Sequence, residues 1–305
     1  MMRLTRTLLG PLVMLAFAGC ATPPRQVAPP TATPQQLLDR VGAFAQPTQD
    51  GRLAALKAQL EAAALPYMVE SFDGKRRAAR GYNVVVSTGP AGAREILLTA
   101  HYDAVELPGG KLVDGLVDNA GSVVAMIEAT KRVAGRTRHP VRLVVTDEEE
   151  LGLLGAKAWV AAHGVGNLAA VINGDVNGDG ETLMYGLNNG AQSEFLNRAV
   201  SELCVARAMS CLDFPEYPPS DELAFIAAGA PAVSLGHQPR VEAEKLRAFM
   251  LNPPTTQPDM ASVPKVLMMI HTPNDTLANV QPATLAQAAD FIAALVMKLD
   301  GELPP

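Results

Sequence analysis

Short apolar runs that end in metal-seeking side chains constrain this sequence more than any other feature. EILLTA at 95–100 delivers His101, the run at 141–145 delivers Asp147-Glu148-Glu149-Glu150, and the run at 169–172 ends near Asp175. Runs this short, with little polar alternation, fit strands buried on both faces. Segments of helical spacing lie at 122–133, 152–162, 191–208 and 221–228, and a further strand fits 231–235. Strands alternating with helices predict a parallel sheet covered on both sides. The expected class is therefore α/β, a three-layer αβα sandwich around a mixed, mostly parallel sheet. Upstream, 35–45 and 52–65 carry helical spacing, while 67–72 and 82–87 alternate as strands. A helix over 285–299 closes the chain, with Thr284 as its N-cap. The stretch 238–270, rich in Pro and Met, shows no such period and is expected to lie over or beside the site.

The N-terminus carries a different signal. Basic residues Arg3 and Arg6 precede an apolar run from Leu8 to Ala18, then Gly19-Cys20. This reads as an export signal over 1–19, too short to span a bilayer as a stable helix. Phe17-Ala18-Gly19-Cys20 resembles a bacterial lipobox, which implies a lipid anchor on Cys20. Ala21 in place of an Asp implies, by the same resemblance, sorting to the outer membrane. Residues 20–34, rich in Pro, Thr and Ala, read as a tether, and 35–305 as a single domain. Cys204 and Cys211, close together in an exported chain, favour a local disulfide over two reduced thiols. With 25 Lys and Arg against 31 Asp and Glu and no basic stripe, nucleic acid is not an expected partner.

The candidate site residues each admit a plain reading and a chemical one. His101 and Asp103, two apart on extended backbone, face the same side, so Asp103 can hold the far imidazole nitrogen and fix its tautomer. Asp118 sits in DGLVDNAG before a helix. It can cap that helix, or offer one oxygen to each of two ions ~3.5–4 Å apart. Asp114 competes for the same role. In the acidic run, adjacent residues on extended backbone point opposite ways, so one glutamate can bind metal while its neighbour serves as general base. The plain alternative is a solvated first helical turn. Asp175 is a terminal ligand or a turn residue, and His271 a ligand or a core histidine. His139, His163 and His237 read as structural. Tyr185 and Tyr217 are candidate donors to an oxyanion, or packing residues. Imidazoles mixed with carboxylates suit zinc first, with Mn or Co also compatible.

Taken in order, AHYDA, DNAGS, EELGLLGA, NGDV, SDELAF and HTPNDT resemble the secreted double-zinc aminopeptidases. Relatives of those enzymes include glutamate carboxypeptidases and glutaminyl cyclases. The resemblance runs from Gly81 to the C-terminus. It implies two Zn²⁺ per chain, one held by His101, Asp118 and Asp175 and the other by Asp118, Glu150 and His271. It prefers Asp118 to Asp114, makes Glu149 the general base with Asp103 in support, and implies a cis peptide after Asp118. The activity implied is that of an exported exopeptidase acting on peptides, most simply an aminopeptidase. The alternatives are a single-zinc cyclase-like acyltransferase, a dipeptidase or carboxypeptidase, and a non-catalytic binding protein. Two departures stand out: Gly121-Ser122 where the family has Ser-Gly, and Ser220-Asp221-Glu222 where it has Ser-Asp-His.

Overall fold

The computed structural model describes residues 31–76, 79–92, 94–256 and 258–304. The expected export signal over 1–19, the lipobox-like stretch at 17–20 and most of the expected tether lie outside the described residues. The chain runs α1 (Pro34–Gly42), α2 (Gln49–Ala62), β1 (Tyr67–Asp73), β2 (Arg80–Thr88), β3 (Glu95–His101), α3 (Gly121–Val133) and β4 (Val141–Thr146). It continues through α4 (Leu154–His163), β5 (Leu168–Gly174), β6 (Thr182–Gly186), α5 (Glu194–Ala206), β7 (Cys211–Phe214) and α6 (Glu222–Ala227). The last elements are β8 (Ala232–Gln238), α7 (Arg240–Leu251), α8 (Lys265–Met269) and α9 (Pro282–Glu302).

The strands form one eight-stranded sheet in the order β1-β2-β4-β3-β5-β8-β6-β7. β4, β3, β5 and β8 run parallel at its centre, and β2 and β6 flank them antiparallel. Central strands are mostly apolar because both faces are covered, with polar residues gathered toward their carboxyl ends. Ile96, Leu98, Leu143, Val145, Ala170 and Ile172 pack under α1, α3, α5 and α9. The alternate residues Leu97, Val144 and Val171 meet Trp159 of α4 and Phe225 of α6 on the other side. Each Val, Leu, Ile or Phe among them contributes about 1.5–3 kcal/mol when taken out of water.

Connectivity then positions the site. From β3 the chain crosses one face through α3 to β4, and returns through α4 on the other face to β5, beyond β3. Loops leaving the carboxyl ends of β3 and β5 diverge there and open a crevice, the usual place for ligands in such sheets.

Several expectations shift in detail. Helix α1 begins one residue earlier than expected, with Thr33 as its cap, and the Ala32 amide donates to Glu128 at 3.1 Å. Thr284 is not the cap of the closing helix. Gln281 holds that place with Pro282 at the first turn, and the Thr284 hydroxyl donates to Gly180 O at 2.7 Å. Strands β6 and β7 and helices α7 and α8 were not anticipated. Pro239, Pro253 and Pro254 bracket α7 and hide its periodicity. Cys204 and Cys211 are joined as a disulfide that ties the end of α5 to β7, with Cα atoms 6.3 Å apart.

Candidate metal centre

His101 is the last residue of β3 and points, with Asp175 just beyond β5, into the crevice. Its Nε2 lies 3.2 Å from Asp118 Oδ1 and 3.8 Å from Asp175 Oδ1. On the other side His271 Nε2 stands 3.1 Å from Asp118 Oδ2 and 3.1 Å from Glu150 Oε2. Asp118 thus turns one oxygen to each imidazole. Two triads result, His101–Asp118–Asp175 and Asp118–Glu150–His271, each with its donor atoms within 4.8 Å of one another. The peptide after Asp118 is cis. Asp114 belongs to neither triad; its carbonyl, not its carboxylate, meets the scaffold, accepting from Arg52.

The donor chemistry fits a pair of divalent cations. Asp118 Oδ1, Asp175 Oδ1 and Glu150 Oε1 are buried and make no hydrogen bond within the protein. Buried carboxylate oxygens are costly without a partner, and several aimed at one volume call for a cation. Among the described residues, His101, Asp118, Asp175, Glu150 and His271 are the ones that would hold it.

The acidic run divides its labour. Asp147 is buried and accepts from the Tyr82 and Glu148 amides at 3.0 and 2.9 Å. Glu148, also buried and at φ +54°, accepts from the Lys75 and Arg76 amides at 2.7 and 2.8 Å. Glu149 and Glu150 face the pocket. Asp103 holds them there: Oδ1 accepts from the Glu149 amide at 3.0 Å, and Oδ2 from Arg76 Nη1 at 3.0 Å and the Glu150 amide at 3.4 Å. The same carboxylate stands 3.4 Å from His101 Nδ1, on the side away from the triad. Gly155 is obligatory beneath this turn, since a Cβ there would lie 2.3 Å from Asp147 O.

Two supports escaped sequence reasoning. The fully buried Arg52 donates to the carbonyls of Tyr102, Phe44, Asp114 and Gly115, tying α2 to the loops that carry Asp103 and Asp118. Asp275 accepts from three consecutive amides, Leu116, Val117 and Asp118, at 3.0, 2.7 and 3.0 Å. The HTPNDT segment could have flagged Asp275; nothing local flags Arg52.

Electrostatics follow from crowding acids in a dry crevice. Burial pushes the Glu149 carboxyl up to about 9, opposed by His101 and helped by Asp221, Asp175 and Glu150. Burial disfavours the His101 cation, but Glu149, Asp103, Asp118 and Asp175 outweigh it and hold the imidazole well above its usual range. Hydrogen bonds donated by His271 to Asp118 and Glu150 raise its imidazole to about 10. A dication in the triads acts against every one of these shifts, favouring carboxylate and neutral imidazole.

Beneath the triads lies a polar shelf. Thr146 Oγ1 donates to Asp221 in a short hydrogen bond, and Asn173 Nδ2 donates to Glu222 at 3.0 Å and Ser234 at 2.8 Å. Burial raises Asp221 to about 7 and Glu222 to about 8. Glu222, the departure noted in the sequence, therefore sits behind the pocket and does not line it.

Above the triads opens a pocket of about 410 Å³. Its further lining is largely apolar and includes Met184, Leu246, Val266 and Ile270, together with Tyr217-Pro218-Pro219. Thus α7 and α8 of the 238–270 stretch form one wall, as expected of that stretch. Among the described residues, no Lys or Arg lines this pocket. Tyr217 lines it and Tyr185 does not. The other histidines are structural. His139 pairs with Asp300 at 2.9 Å, His163 stacks on Trp159 and meets Glu70, and buried His237 bonds Asn177 Oδ1 at 2.7 Å.

Comparison with known proteins follows the same lines. Residues 83–296 match Peptidase family M28. No curated protein matches the sequence. The fold is similar to that of the Legionella pneumophila LapA aminopeptidase (TM-score 0.66, 16% identity, covering 89% of this chain and 72% of that one). It is also similar to Porphyromonas gingivalis glutaminyl cyclase (TM-score 0.66, 16% identity, 89% and 98%). A third likeness is to BSAP, a zinc aminopeptidase from Bacillus subtilis (TM-score 0.56, 20% identity, 72% and 50%), of which the chain spans half the length.

Proposed function

The chain belongs to peptidase family M28, and on that premise we propose that it is a zinc-dependent aminopeptidase exported to the cell envelope. One observation carries the chemistry: Asp118 joins two triads, and Glu149, a member of neither, faces the same pocket. When bound, a pair of zinc ions supplies Lewis acidity that lowers the pKa of a water and polarises the scissile carbonyl.

The chain's own residues supply the rest. Glu149 takes a proton from the attacking water and returns it to the departing amine. A dication in the neighbouring triads favours its carboxylate form, the one a general base needs, while the surrounding acids keep its proton affinity high enough to return the proton. Asp103 positions Glu149 through its backbone amide and fixes the His101 tautomer. Glu150, Asp175, His271, His101 and Asp118 are the ligands. Tyr217 is placed on the pocket wall, where its hydroxyl can serve the oxyanion.

Two features favour an aminopeptidase over a carboxypeptidase. The described pocket lining has no Lys or Arg to take a terminal carboxylate. An apolar wall fits an apolar N-terminal side chain. The signal at 1–19, the anchor at Cys20 and the Cys204–Cys211 disulfide agree with an envelope location, on the periplasmic face of the outer membrane.

The test is a panel of aminoacyl and N-blocked peptides with wild type and Glu149→Gln. The variant keeps its zinc and loses turnover by about 10²–10⁴-fold. Loss of zinc from it contradicts the assignment. A second reading, a glutaminyl cyclase-like acyltransferase, draws on the match along 98% of the cyclase chain. One zinc per chain together with cyclisation of N-terminal Gln would establish it.

A further inference from the structure

His271 is unlike the other proposed ligands in its origin. His101, Glu150 and Asp175 leave the ends of neighbouring strands, and Asp118 lies on the loop after β3, so the sheet itself sets their spacing. His271 instead follows α8, on a segment that belongs to the pocket wall, and its side chain is half exposed. Its backbone is in the left-handed region at φ +61°, a conformation that needs support from its surroundings.

That support lies four residues on. Asp275 is buried, and its two oxygens take the amides of Leu116, Val117 and Asp118. Three successive N–H groups aimed at one carboxylate make a nest, and each bond is charge-assisted, hence about twice as strong as a neutral one. The Asp275 amide closes a turn on Thr272 O at 3.1 Å, and the Thr272 hydroxyl bonds Met269 O at 2.7 Å. The segment from Met269 to Asp275 is thereby one compact unit with His271 inside it. Asp275 docks that unit on the same three amides that set the direction of the Asp118 side chain.

We propose that Asp275 is the positioning residue of the Asp118–Glu150–His271 metal position, holding His271 and the second oxygen of Asp118 at bonding separation through the nest at 116–118. The assignment rests on reading the two triads as metal sites. It goes further in giving the two positions different dependence on one residue that touches neither ion. The His101–Asp118–Asp175 position takes two of its three ligands from strand ends and shares only Asp118 with the nest, so it largely keeps its geometry without Asp275. The His271 position does not.

The test is zinc titration of the full metal-stripped chain against a competing chelator, for wild type, Asp275→Asn and Asp275→Ser. Asparagine keeps the shape and one acceptor oxygen but turns a carboxamide NH2 toward an N–H group that the other oxygen had accepted from; serine keeps one small acceptor. The expected result is a first zinc bound as in wild type and a second bound 10–100-fold more weakly. Peptidase kcat falls with KM little changed, and excess zinc restores turnover. Two equal, wild-type affinities in either variant overturn the proposal. So does loss of both zincs in step with the thermal transition, which marks a purely structural role. A wild type that binds two zincs yet cleaves no peptide would refute the aminopeptidase reading and leave this one standing, because the zinc titration does not depend on turnover.

Discussion

Replacing Arg52 by methionine tests how much of the site is held from behind. The guanidinium is fully buried, over the Phe44 ring at 5.6 Å, and donates to four backbone carbonyls. Methionine fills the space and keeps the apolar stem, so packing changes little. What is lost is hydrogen bonding: four acceptors on three different segments are left in a dry interior. Hydrogen bonds to a charged group contribute about 1.5–3 kcal/mol each, but carbonyls tolerate under-satisfaction better than amides. Allowing for that and for the cost of burying the cation, a net loss of about 3–5 kcal/mol follows. At roughly 2–4 °C per kcal/mol for a domain of this size, Tm should fall by about 6–20 °C. Removing the charge also takes a counter-ion from Asp103, Asp275, Asp118 and Glu150, whose attraction opposes the burial that lowers Arg52 to about 10. Those acids should then hold protons more tightly and bind zinc less well, since metal binding requires the deprotonated form. Thermal unfolding with and without zinc, paired with zinc titration, reads both effects. A Tm within 2 °C of wild type and unchanged zinc affinity would refute the reasoning, and would mean the carbonyls find water or one another.

Other expectations follow from single contacts. Gly115→Ala places a Cβ 2.8 Å from both Ala104 Cβ and Asp118 O at φ +57°, so a loss of about 2–4 kcal/mol with weakened zinc binding is expected by denaturant titration and chelator competition. Leu246→Asp should lower kcat/KM for peptides with N-terminal Leu by 10-fold or more and spare those with N-terminal Lys; an unchanged substrate profile would remove Leu246 from the pocket wall. The metal-free protein should become less stable as pH rises from about 5 to 9. Glu149, Asp221, Glu222 and His271 all hold protons to higher pH when folded, at about 9, 7, 8 and 10, than when unfolded. The folded state therefore binds more protons across this window, and stability falls with pH. Zinc should flatten the profile, which Tm measured across pH with and without metal will reveal.

Much of the fold was legible because its signals are local. A strand buried on both faces declares itself as a short apolar run, and the residue at its end is read directly; His101 and Asp175 were placed this way. Strands β6 and β7 were missed because they are short, five and four residues, and lie near the far edge of the sheet. α7 was missed because prolines on either side outweigh its good helix formers. Within DEEE, the sequence pattern allowed only that neighbours point apart. It could not say that Asp147 and Glu148 turn inward to amides of β2 and the loop after β1, while Glu149 and Glu150 turn out.

By itself, then, the sequence determined the class of fold, the kinds of ligand and their order, since each depends on a few consecutive side chains and the period in which they recur. Tertiary structure decided what holds the ligands in place. Arg52 reaches carbonyls as far as 63 positions away, and Asp275 binds amides 157 to 159 positions away. Such partners share no local pattern, because it is the folding of the sheet and its crossovers that brings a buried charge to the backbone groups it satisfies.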